Sequence, residues 1–171
     1  MELAHLNELH LLALEEAQKY PRRRFIFDEI LKDKGKHFIG IIGPRGSGKT
    51  ILLKQIAAKV PDSFYLSVDV LPDIDLFQVA KQLIETQKIK YLLFDEIHFK
   101  VHFARELKKI YDFLDVKVIF TSSASLVIRQ PELDLSWCVK FFTVFPFSFR
   151  EFIYFKTDTL IPYLELEDIW K

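Results

Sequence analysis

Cysteine is almost missing from this chain of 171 residues; Cys138 stands alone, which excludes an intrachain disulfide and fits a reducing compartment. Charge of one sign is not in excess either. Lys plus Arg and Asp plus Glu both number 24, and the resulting net charge of zero argues against wholesale electrostatic capture of nucleic acid. No apolar run reaches the roughly 18 residues that a membrane span needs. The stretch 118–128 is too short, and Lys140 interrupts 139–149. The N-terminus mixes two Glu and two His among its leucines, unlike a secretory signal. What remains is half apolar and 28% charged, the composition of a folded domain with a real core. The expectation is a cytoplasmic α/β domain.

Periodicity divides the chain into alternating elements. Helical spacing over 2–20 stops at Pro21, and a second helix is expected over 25–31. Short apolar runs at 37–42, 63–68, 90–94, 116–120 and 139–145 have the character of strands covered on both faces. Between them, helices are expected over 49–60, 75–87 and 102–114, with a last one over 148–156. The pattern predicts a three-layer α/β/α fold around a five-stranded, mostly parallel sheet. Ligands in such sheets bind beyond the carboxyl ends of the strands. Those ends carry Gly43–Thr50, Asp69, Asp95-Glu96 and Thr121-Ser122-Ser123.

The segment Gly43-Pro44-Arg45-Gly46-Ser47-Gly48-Lys49-Thr50 satisfies G-x-x-x-x-G-K-[ST] at every fixed position, after a strand and at the start of a helix. Glycines at 43, 46 and 48 let the backbone curl so that amides surround phosphate oxygens, and the following helix adds its N-terminal dipole. Residues 43–51, ending at Ile51, are therefore the candidate phosphate-binding loop. Lys49 would hold the β- and γ-phosphates, and Thr50 would offer its hydroxyl to Mg²⁺. Tyr91–Glu96 puts two carboxylates at the end of a buried strand. Asp95 suits the Mg²⁺ shell, and Glu96 is placed to deprotonate an attacking water. The hydroxyls of Thr121 and Ser122 could sense the γ-phosphate; a capping turn is the alternative for these residues.

These residues resemble the Walker A and Walker B motifs of AAA-type P-loop ATPases. The chain is most similar to the archaeal and bacterial AAA proteins that usually carry a C-terminal domain of unknown function. That resemblance runs over about 22–155 and includes Thr121-Ser122-Ser123-Ala124 and Pro146-Phe147-Ser148-Phe149-Arg150-Glu151-Phe152. It implies ATP and Mg²⁺ as cofactors, Glu96 as catalytic base, and Thr121 or Ser122 as the sensor of the terminal phosphate. Where the family carries Gly-Arg before its last strand, this chain has Ser136-Trp137-Cys138.

The organisation expected is a helical segment at 1–36, an ATPase core at 37–157, and a tail at 158–171 compatible with a truncated second domain. The function expected is Mg²⁺-dependent ATP hydrolysis coupled to a conformational change. The alternative is a nucleotide-binding switch or assembly module with little turnover. A kinase is disfavoured because no basic lid-like segment follows position 120, and a GTPase because no N-K-x-D motif occurs. ATP and ADP are the expected partners; a homo-oligomer could supply a missing arginine, and a protein or nucleic-acid partner stays open. Arg22–Arg24 is expected to be a solvated turn, His98 and His102 surface residues, and Cys138 a core residue.

Overall fold

The computed structural model describes residues 3–71, 73–123, 135 and 138–162. Helix α1 (Leu3–Gln18) and helix α2 (Ile26–Lys32) precede strand β1 (Phe38–Gly43) and helix α3 (Lys49–Lys59). Strand β2 (Ser63–Ser67), helix α4 (Leu76–Gln87) and strand β3 (Tyr91–Asp95) follow. A single 3₁₀ turn (Ile97–Phe99) leads to helix α5 (Phe103–Phe113), strand β4 (Lys117–Ser123), strand β5 (Val139–Thr143) and helix α6 (Phe149–Thr157). The sheet order is β2-β3-β4-β1-β5, and every pairing is parallel.

Side-chain alternation along the strands builds two cores. Phe38, Phe64, Leu66, Leu92, Phe94, Val118 and Phe120 face one layer with α4 and α5. Their neighbours Ile39, Ile41, Tyr65, Leu93 and Ile119 face the other layer with α2 and α3. This is why the strands read as continuous apolar runs. Helix α1 reaches both clusters through Leu6 and Ala13. It also covers the β2 edge, where His10 Nδ1 accepts the Tyr65 N–H at 3.1 Å; burial keeps that imidazole below its ordinary pKa and hence neutral.

One local expectation changes. Strand β4 runs three residues past Phe120, because its ladder with β1 continues through Ile41↔Thr121, Ile42↔Ser122 and Gly43↔Ser123. The backbone at those hydroxyls is therefore extended, not the alternative capping turn. Asp75 is the N-cap of α4, its carboxylate accepting the Gln78 N–H at 2.9 Å.

At the opposite end of the sheet, Asp33 ties α2 to β4 and β5. Its carboxylate accepts from Lys140 at 2.6 Å and lies 3.9 Å from Lys117. The Lys140 hydrogen bond and the nearby His37 hold its pKa at about 2 despite partial desolvation. A carboxylate depressed in this way stabilises the fold fully above its unfolded pKa of about 4 and loses that contribution as pH falls through about 2. Asp33→Asn should thus melt below the wild type at neutral pH, with the gap closing between pH 4 and 2 in a thermal-melting series.

Candidate functional site

Strand parity decides which side chains meet at the carboxyl end of the sheet. Gly43, Tyr65, Asp95 and Thr121 all share the α3 face with Ile41, Leu93 and Ile119, whereas Ser122 points with Phe120 to the α5 face. Gly43 is required here by contact: a Cβ at this position would sit 2.2 Å from the Val144 carbonyl oxygen. Gly46 and Gly48 adopt φ of 79° and 88°, the left-handed region that lets the loop curl into α3. Pro44, Arg45 and Gly46 are exposed, Ser47 and Lys49 are buried, and Gly48, Thr50 and Ile51 are half-buried.

Lys49 is 4% exposed, and its Nζ donates to the Gly43 and Pro44 carbonyls at 3.0 Å each. Among the described residues no carboxylate lies within ion-pair distance of it. Ser47 Oγ is buried and has no hydrogen-bond partner among the described residues. An ammonium without a countercharge and an orphaned hydroxyl are costly when buried alone, and both suit an anion seated in the loop.

Asp95 is 2% exposed and held from two sides. Tyr65 OH donates to Oδ2 at 2.9 Å, and Thr121 Oγ1 donates to Oδ1. Burial and the adjacent carboxylate push the Tyr65 phenol above its ordinary pKa, so it stays a donor. Thr121 Oγ1 also accepts the Glu96 N–H at 2.8 Å, tying the two acids together. Glu96 adopts φ 51° and ψ 44°, a left-handed conformation unusual for a residue with a Cβ. The turn carries its side chain, 27% exposed, out of the strand; Oε2 stands 3.3 Å from His98 Nδ1. His98 Nδ1 lies 3.5 Å from Ser122 Oγ as well.

The expectations for His98 and Arg24 need correction. His98 is largely covered and engages Glu96 and Ser122, so it is not a free surface histidine; His102 lies on a left-handed residue before α5 and shares no helix face with it. Arg24 is not solvated: it is 8% exposed and bonded to Glu151, Ser47 and Phe145. Asp69 is exposed and accepts from Ser67 Oγ at 2.5 Å. Arg150 donates to the Ile161 carbonyl at 2.6 Å. Cys138 is buried as expected. Ala124, Ser136 and Trp137 lie outside the described residues, as does 163–171 of the tail.

The sequence pattern assigns Tyr65, Arg24, His98 and Glu151 no place in the site. Parity gives a signal for Tyr65, which shares the Asp95 face on the neighbouring strand. Arg24 has no local signal, since its partner is 127 positions away.

A model of the AAA domain family matches residues 35–153. The chain belongs to this AAA family. It is 34% identical over 155 residues to an uncharacterized protein of Methanocaldococcus jannaschii, an alignment covering 78% of this chain and 32% of that protein. The chain thus spans about a third of that relative's length. Its fold is similar to that in the S. cerevisiae Hsp104–ADP complex, with a TM-score of 0.58 and 20% identity over 81% of this chain and 25% of that one. The three-layer P-loop NTPase fold with a five-stranded parallel sheet is the architecture of this AAA protein. No helix among the described residues is long and apolar enough to cross a membrane.

Proposed function

We propose that this AAA domain binds ATP in the Gly43–Ile51 loop and hydrolyses it with Mg²⁺. The observation that carries the reading is Lys49, a nearly buried ammonium resting on two loop carbonyls with no carboxylate beside it. A triphosphate would supply the missing charge, drawing Nζ from those carbonyls while Ser47 Oγ and the loop amides gain acceptors. Thr50 and Asp95 are hard oxygen donors suited to Mg²⁺, and each Asp95 oxygen keeps a lone pair beyond its present hydrogen bond. The ion, when bound, neutralises phosphate charge.

Glu96 takes the proton of the attacking water. Its exposure and its turn away from the strand suit that task, while Asp95 is held between two hydroxyl donors. Because Thr121 Oγ1 donates its hydrogen bond to Asp95 and accepts the Glu96 N–H, its role is to align the two acids rather than to touch the phosphate. Ser122, beside His98, is the better sensor candidate. A second reading, a nucleotide switch with little turnover, draws support from the His98 contact that engages Glu96.

Phosphate release from ATP should require Mg²⁺ and stop on chelation. Lys49→Ala should weaken ATP binding by about 10- to 150-fold, from the roughly 1.5–3 kcal/mol of a charged hydrogen bond. Calorimetry and phosphate release together decide: tight ATP binding with no turnover at any protein concentration selects the switch. Equal affinity in Lys49→Ala removes the loop from the reading.

A further inference from the structure

Arg24 lies between α1 and α2, remote in sequence from everything it binds. Nε donates to Glu151 Oε1 at 2.7 Å and Nη2 to Oε2 at 3.0 Å, a two-pronged grip on a carboxylate that is itself 6% exposed. Nη2 also reaches the Phe145 carbonyl at 2.8 Å, and the Phe147 ring covers the guanidinium at 4.4 Å. Glu151 is the N3 residue of α6, where it closes a capping box with Ser148 and accepts the Phe25 N–H at 3.2 Å. These contacts alone would make a structural ion pair.

The remaining prong differs. Nη1 donates to the Ser47 carbonyl of the phosphate loop at 2.6 Å. In a planar trans peptide the carbonyl and the following N–H point to opposite sides. Tethering Ser47 C=O to Arg24 therefore turns the Gly48 N–H away from Arg24, and the left-handed Gly48 that follows starts α3. One planar side chain thus joins a loop peptide to the first turn of α6. A lysine could not span these acceptors, because it lacks the rigid fork.

We propose that Arg24 is a positioning residue for phosphate binding: anchored on Glu151, it holds the Ser47–Gly48 peptide in its receiving orientation, and phosphate capture in turn tightens α6. The proposal rests on the nucleotide-binding reading. Reciprocity follows from linkage, since a clamp that favours the occupied loop is itself favoured by occupancy.

The test uses the full chain, Arg24→Lys and Glu151→Gln, with ATP and inorganic triphosphate as probes in Mg²⁺. Both variants should bind ATP and triphosphate at least about ten-fold more weakly per folded molecule, by a common factor for the two probes. A purely structural pair would lower the melting temperature and leave the affinity of folded molecules alone. In the wild type, triphosphate should slow amide hydrogen exchange over 149–157 several-fold, and the variants should lose that response. Cooperative melting of Arg24→Lys with wild-type affinity overturns the proposal, as does unchanged exchange over 149–157 in saturated wild type. The exchange measurement decides alone if neither variant folds. Wild type that binds neither probe ends the nucleotide reading itself, a result distinct from tight wild-type binding that Arg24→Lys leaves intact.

Discussion

Glu96→Gln should cut ATP-dependent phosphate release by about 10²- to 10⁴-fold, the usual worth of a positioned general base, while leaving ADP affinity within about two-fold. The separation of effects follows from the geometry. The Glu96 backbone N–H binds Thr121 Oγ1, and glutamine leaves that contact and the left-handed turn in place. Asp95, buried between Tyr65 and Thr121, is untouched, so the loop and the oxygens proposed to hold the metal keep their arrangement. What disappears is a carboxylate able to take a proton, with an amide of the same shape in its place. Phosphate-release kinetics and ADP calorimetry on the same preparation provide the check. A rate unchanged by the substitution assigns proton removal to another group. A joint loss of turnover and ADP affinity shows instead that Glu96 supports the loop.

The loop and the acid pair were legible because each is local. Eight consecutive residues define the loop, and two consecutive residues end a strand of apolar neighbours. Period-two alternation further suffices to bring Asp95 and Thr121 to the α3 face, since both keep parity with the buried Leu93 and Ile119. Strand β4 outruns its apolar stretch for a physical reason. The apolar run that marks the strand ends at Phe120, but the β1 ladder gives the Thr121, Ser122 and Ser123 backbones partners and extends the strand. His98 was hidden by the 3₁₀ turn after Glu96, which folds the chain back so that residues two apart come into contact. Three consecutive arginines before a helix suggest a surface turn, and nothing local sets Arg24 apart from its two neighbours. Only the return of the chain at α6 supplies the carboxylate that permits one of them to be buried while Arg22 stays partly exposed beside Asp158.

That burial makes Glu151→Ala the largest expected loss of stability, about 3–5 kcal/mol, or roughly 6–20 °C in melting temperature for a chain of this size. The attraction within the pair is not the source of the figure. A buried ion pair gains little net free energy once both groups have been taken from water, but removing one member leaves the other charged, dry and unpaired. Burial by itself would raise the Glu151 pKa; hydrogen bonds from Arg24, Ser148 and Phe25 overcome that and bring it below its ordinary value. Alanine also deletes the reciprocal half of the α6 capping box. Replacing both partners with apolar residues of similar size, as in Arg24→Met with Glu151→Leu, should restore much of the stability, because no orphaned charge remains. Urea unfolding of the wild type, the single variant and the double variant measures the difference. A single variant within about 1 kcal/mol of wild type would mean that water reaches Arg24 once Glu151 is gone.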